Sequence, residues 1–125
     1  MRGRLTDIRF DDRDGVVIAH LEGEVDGSNA HEVADALTTR TTSAARGLVV
    51  DLENVNYLDS TGIELLFTLG RRLRDRRQRL CLALPAKAPT RRVLEICNVS
   101  SVAPIDADVD TAVERLASRD PGSAV

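Results

Sequence analysis

Two short apolar runs, Leu48-Val49-Val50-Asp51-Leu52 and Leu80-Cys81-Leu82-Ala83-Leu84, constrain this chain more than any other feature. Neither shows the polar and apolar alternation of a strand with one wet face. Each reads as a strand buried on both sides, and such strands need helices above and below the sheet. The segment between them, Ser60 to Gln78, carries Gly62, Leu65, Leu66, Leu69 and Leu73 on one stripe and reads as a long helix. Upstream, Thr6, Ile8 and Phe10 alternate with Asp7, Arg9 and Asp11, and Asp14-Gly15 turns the chain into Val16 to Leu21, which predicts an opening β-hairpin.

The remaining elements follow from spacing. Ala30, Val33, Ala34 and Leu37 fall on one helical face that Ser28 or Asn29 can cap, and Arg46-Gly47 marks the break after it. Pro85 ends the second apolar run. Val93, Leu94 and Cys97 suggest a short helix over Thr90 to Cys97, which Asn98 terminates in the left-handed conformation. Val102 to Ile105 reads as a weak edge strand, since Pro104 has no ladder donor. Val109, Ala112, Val113, Leu116 and Ala117 form the face of a last helix. The expected architecture is an α/β domain: a small mixed sheet of four to five strands opening with a hairpin, with about four helices.

A chain of 125 residues is one domain, here 1–118, followed by a flexible tail over 119–125 that contains Pro121-Gly122-Ser123. The net charge of -3 gives no basic footprint for a phosphate backbone, and Phe10, Phe67 and Tyr57 are the only aromatics, so nucleic-acid platforms are not expected. No apolar stretch approaches the roughly 18 residues of a membrane span, and the basic start Met1-Arg2-Gly3-Arg4 leads into no apolar signal region. The chain is expected in the cytoplasm. There Cys81 and Cys97, without metal-ligand spacing, read as free thiols, with a regulatory Cys81–Cys97 disulfide as the alternative.

Catalytic signatures fail one by one. Phosphate-loop, dinucleotide and zinc-protease motifs are absent, and the histidines, His20 on a predicted strand and His31 on a predicted helix, read as isolated. Ser60 is no nucleophile elbow, because Leu58 stands where the first glycine belongs. Arg71, Arg72, Arg74, Arg76, Arg77 and Arg79 read as the solvated end of the long helix, where cations complement the dipole.

The informative segment is Asn56-Tyr57-Leu58-Asp59-Ser60-Thr61-Gly62-Ile63-Glu64, which follows a buried strand and opens the long helix. One reading is plain capping: Thr61 to Glu64 fits an S/T-x-x-E box, with Asp59 or Ser60 as alternative caps. A hydroxyl at a helix start is also a natural phosphate site, because free N–H groups and the dipole favour an anion.

Taken in order, the hairpin, Leu21-Glu22-Gly23-Glu24-Val25-Asp26, the capped helix, Val49 to Leu52, Tyr57 to Gly62, the long helix, Leu80 to Leu84 and Arg92 to Ile96 resemble the STAS family of anti-sigma factor antagonists, from about Thr6 to Leu116. The resemblance implies a regulator that catalyses nothing and needs no cofactor of its own. It implies Ser60 as the residue phosphorylated by an anti-sigma factor that is also a serine kinase, with ATP and Mg²⁺ belonging to that partner and a separate phosphatase for reset. It implies a partner surface of Asp26, Gly27, Asn29, Asp59, Thr61, Gly62 and Ile63 around Ser60. Departures are Glu64 where a Gly is common, Asn98 for a common Gly and Ala103 for a frequent Phe. Glu64, one turn from Ser60, supports the alternative of a constitutive scaffold subunit in a transporter or stress-sensing complex, never phosphorylated. A nucleotide-binding or hydrolytic site at Asp59 to Gly62 is a third reading, which the lack of a nearby Lys or His disfavours.

Overall fold

In the computed structural model, which describes residues 7–118, a five-stranded sheet is covered by helices on both faces. Strand β1 (Asp7–Arg13) and β2 (Val16–Val25) form the hairpin, joined by Asp14 and Gly15 at positive φ of 56° and 80°. Two consecutive left-handed residues match the right-handed twist of the flanking strands. Helix α1 (Ala30–Arg40), β3 (Gly47–Leu58), α2 (Ser60–Asp75), β4 (Arg79–Ala83), α3 (Pro89–Ile96), a turn of 3₁₀ helix at Val99–Ser101, β5 (Ile105–Asp106) and α4 (Val109–Ala117) complete the chain. The sheet order follows the sequence, with β1 antiparallel to β2 and every later pair parallel. The expected mixed sheet, hairpin and four helices are present. Thr6 and the tail expected over 119–125 lie outside the described residues.

Alternation along the central strands divides the core. Val17, Ala19, Leu21, Leu48, Val50, Leu52, Leu80 and Leu82 point to the face packed by Val33 and Leu37 of α1, Leu66, Leu69 and Leu73 of α2 and Leu94 of α3. Val16, Ile18, Val49, Cys81 and Ala83 point to the other face, which Ala112, Val113 and Leu116 of α4 cover. One helix seals that side, with polar help at the sheet edge. Arg115 grips Asp106 with two hydrogen bonds of 2.8 and 2.9 Å, and the buried Cys81 thiol donates to the same carboxylate at 3.1 Å.

The Arg115 guanidinium, with the Cys81 thiol, holds the Asp106 carboxyl below its usual range. Burial first, then Asp106 itself, pushes the Cys81 thiol up from its ordinary 9.0 to about 12. A thiol that binds its proton more tightly when folded stabilises the fold below pH 9 and loses that contribution as pH rises toward 12. Cys81→Ser, which keeps a donor but has no thiol to ionise, is therefore expected to flatten the alkaline part of the pH–stability curve measured by urea unfolding. Cys97 is exposed after α3, and both cysteines are free.

Several boundaries differ from the sequence expectation: β2 runs on to Val25 instead of Leu21 and β3 to Leu58 instead of Leu52, because the two strands go on pairing with each other beyond the apolar runs. The long helix ends at Asp75, not Gln78, because Arg77 adopts the left-handed conformation (φ 62°) and closes a Schellman motif: Gln78 N–H donates to Leu73 O and Arg77 N–H to Arg74 O. Only Arg71, Arg72 and Arg74 thus lie on the helix. Arg76 donates to Thr41 O, and Arg79 starts β4. Without a glycine the stop leaves no sequence signal. Arg77→Gly relieves a left-handed side chain and is expected to raise stability by roughly 0.5–1 kcal/mol in thermal melts.

The edge strand is Ile105–Asp106 instead of Val102 to Ile105, because Val99–Ser101 first turns as 3₁₀ helix and Val102 and Ala103 N–H groups bond back to Val99 O. Helix α3 begins at Pro89, whose missing N–H is harmless at a first helical position. It buries Thr90 and Leu94 and leaves Val93, Cys97 and Ile96 outward, Ile96 at 73% exposure.

Candidate functional site

The length of β3 builds the site. Its first half, Gly47 to Asp51, pairs with β4, while Asn54 to Leu58 runs on beyond that neighbour, paired only with Glu22 to Val25 of β2. The pairing slips between His20 and Glu22 and again between Gly23 and Glu24, where Gly23 (φ 114°) takes a conformation that side-chain-bearing residues avoid. The result puts Val25 opposite Leu58, so the chain leaves both parallel strands at the same height. Asp26 and Asp59 become neighbours across 33 residues of sequence.

Asp59 ties the two exits together. It is the N-cap of α2, its Oδ1 accepting from Gly62 N–H at 3.0 Å, while Oδ2 accepts from Gly27 N–H in the other loop at 3.2 Å. Its own N–H donates to Val25 O. The capping box read at Thr61 and Glu64 is not formed: with Asp59 as cap, Thr61 is the second helical residue and Glu64 projects from the exposed face. Removing the cap and the tie together by Asp59→Ala is expected to cost about 1–2 kcal/mol, read by urea unfolding.

The opposite loop is held from within. Asn29 stands at the N-cap position of α1 but caps nothing; its side chain accepts from Asp26 N–H and donates to Glu24 O, and it is 8% exposed. Ser28 bonds through both N–H and Oγ to Asp26 Oδ1. Neither role is visible in spacing, since each depends on the loop's path. Gly62 is buried where an added β-carbon would run into Val25 O and Leu58, and Ile63 is core. Ser60 is left exposed at the first position of α2, its hydroxyl engaged by none of the described residues, with Thr61 and Gly27 exposed beside it.

The expected surface is therefore one place in space, made of two kinds of residue. Gly27, Ser60 and Thr61 face solvent, Asp26 and Asp59 are half-buried, and Asn29, Gly62 and Ile63 form the supporting layer. Acidic groups surround the hydroxyl: Asp59 precedes it, Asp26 lies across the seam, and Glu64 follows one turn along the helix. A groove of about 260 Å³ opens next to it between α1 and α2. No groups that could hold a metal ion are found among the described residues.

The model of the STAS domain matches residues 7–112. The chain belongs to the STAS domain family. Over 98 residues it is 30% identical to BtrV of Bordetella bronchiseptica, assigned as an anti-sigma factor antagonist, covering 78% of this chain and 84% of that protein. The crystal structure of an anti-sigma factor antagonist from Mycobacterium paratuberculosis superposes with a TM-score of 0.79 at 23% identity, covering 90% and 94% of the two chains. The Bacillus cell fate determinant SpoIIAA in its phosphorylated form superposes with a TM-score of 0.65 at 20% identity over 88% and 99%. Both likenesses bear on the fold, and the placement of Ser60 comes from the STAS chain itself.

His20 and His31, read as isolated, part company here. His31 lines the α1–α2 groove, whereas His20 sits between two carboxylates, Asp51 at 2.7 Å and Asp11 at 3.1 Å, and so helps tie β1 and β3 to β2. Parallel register places His20 opposite Asp51, which spacing alone does not reveal.

Proposed function

We propose that this STAS protein is an anti-sigma factor antagonist, a regulator that catalyses nothing, which binds an anti-sigma factor and releases the sigma factor held by it. The observation that carries the reading is the exposed Ser60 hydroxyl at the first turn of α2, in the seam where the Asp26 and Asp59 loops meet. The kinship with BtrV supports it. Unmodified, the surface of Gly27, Ser60 and Thr61, shaped from beneath by Asn29, Gly62 and Ile63 and flanked by Asp26 and Asp59, closes on the partner. The partner is an ATP-binding serine kinase that phosphorylates Ser60, and a phosphatase resets the switch, all in the cytoplasm.

Phosphorylation adds a charge of about -1.5 to -2 at pH 7. That charge enters a seam already bordered by Asp26, Asp59 and Glu64, in a surface that must be desolvated against the partner. Dissociation follows. The existence of a phosphorylated form of SpoIIAA, a protein of the same fold, supports this use of the site.

The test takes the anti-sigma factors of the source organism, each purified and loaded with ATP and Mg²⁺, and follows binding by calorimetry and modification by mass spectrometry. One of them is expected to bind the unmodified chain and to place phosphate on Ser60. Phosphate confined to Thr61 moves the site. Binding without phosphate on any residue favours the scaffold reading, for which Glu64 beside Ser60 is the supporting feature.

A further inference from the structure

We propose that the groove between α1 and α2 receives one large apolar side chain of the anti-sigma factor, and that Glu64 selects the partner by pairing with a basic residue flanking that side chain. The inference rests on the function proposed above. It begins from a packing defect with a sequence cause. Helix α1 presents Ala30 and, one turn on, Ala34 toward α2, whose facing residues are Leu65 and Leu69. Two methyl groups opposite two leucines leave the helices unfilled between them, and the hollow of about 260 Å³ opens to solvent. A cavity of about 150 Å³ with apolar walls is enough for a benzene ring. This groove is half open and its walls also carry Thr61 and Thr68. It has room for a single Leu, Met or Phe side chain laid against Ala30, Ala34, Leu65 and Leu69 and is too small for a helix.

Its place and charge point to the occupant. Gly27 and Thr61, which flank Ser60, also line the groove, so a partner that covers Ser60 reaches its mouth without a second interface. The rim carries His31, Glu64 and Arg72, whose side chains bond to none of the described residues. Glu64 lies one turn from Ser60, and Arg72 stands eight residues further, about 12 Å along the axis. The end beside Ser60 is thus acidic through Glu64, with Asp59 beyond the rim, and the far end is basic through Arg72. A cationic side chain next to the apolar anchor complements the acidic end. Nucleic acid does not. A buried anchor ringed by polar contacts is also how binding energy concentrates in protein interfaces.

Calorimetry of the ATP-loaded anti-sigma factor that binds the wild-type chain provides the test, with Ala34→Leu, Glu64→Arg, Glu64→Gln and, on the far side of the sheet, Glu114→Arg. Ala34→Leu fills the groove and is expected to weaken binding more than tenfold with an unchanged melting temperature. Glu64→Arg is expected to weaken it about tenfold and Glu64→Gln less, while Glu114→Arg binds as wild type. If Ala34→Leu lowers the melting temperature, the Glu64 pair alone decides. Wild-type binding by Glu64→Arg, or an equal loss in Glu114→Arg, overturns the proposal. Should Ala34→Leu instead abolish self-association in sedimentation, the occupant is a second copy of this chain and the proposal falls. A Ser60→Asp chain that fails to bind while the groove variants bind normally leaves the switch standing without the groove. Absence of binding by the wild type to every anti-sigma factor removes both.

Discussion

The Ser60→Asp chain is expected to bind the anti-sigma factor at least tenfold more weakly than wild type, while Ser60→Ala, which removes a hydroxyl and adds no charge, loses far less. A factor of ten corresponds to only about 1.4 kcal/mol. The added carboxylate lies next to Asp59 in sequence, across the seam from Asp26 and one helical turn from Glu64, where like charges on neighbouring turns repel. Folding should not suffer, because an anion at the first turn of a helix is stabilised by about 0.3–1 kcal/mol through the dipole. Calorimetry with a parallel thermal melt separates the two effects. An electrostatic origin also requires the contrast between Asp and Ala to shrink at 1 M salt, where screening acts within about 3 Å. Equal affinities of the Asp and Ala chains at low salt would sink the charge mechanism, whatever the site of phosphorylation.

Gly62→Ala is expected to destabilise the fold by about 1–3 kcal/mol, the range for overpacking a filled interior. Helix propensity argues the other way, since Ala is favoured over Gly by about 0.8–1 kcal/mol in a helix interior. Packing wins here. A β-carbon at Gly62 would lie 2.8 Å from Val25 O and 3.0 Å from a Leu58 methyl, and a backbone carbonyl at the end of a paired strand has little room to retreat. Relief requires α2 to lift from β2, which stretches the bond from Gly62 N–H to Asp59 and the tie from Asp59 to Gly27. Urea unfolding should report the stability loss, and amide exchange should show Gly27 and Gly62 N–H losing protection together. The glycine of the Asp-Ser-Thr-Gly segment is thus required by the close approach of helix to strand, not by an unusual backbone angle.

The features that local sequence does not record have a common cause. The end of α2 carries no local signal, because Arg77 occupies a left-handed position that a glycine usually announces. Local sequence leaves the capping residue open among Asp59, Ser60 and Thr61, and the choice of Asp59 depends on where β3 ends, which is set by its pairing with β2 and not by local propensity. Asn29 looked like a cap by type and position. Its side chain instead satisfies Asp26 N–H and Glu24 O, because the slipped ladder brings those groups within reach. The α1–α2 groove was hidden for a similar reason: Ala30 and Ala34 read as one more apolar face until the opposing helix was in place.

By itself, the sequence determined the order of elements, the two-faced burial of the central strands and the chemistry of the Asp59 to Gly62 segment, because these follow from periodicity, residue size and local hydrogen bonding within a few positions. It also carried the family, since the two motifs stand in the family's order. The tertiary structure alone decided that Asp26 and Asp59 meet, that Asp59 bonds both loops, and that Ser60 is presented while Gly62 and Ile63 are withdrawn. Those facts depend on the register of a parallel pair whose partners are separated by a helix. A one-residue slip in that register would turn every side chain of β3 to the opposite face, and no local signal records which register holds.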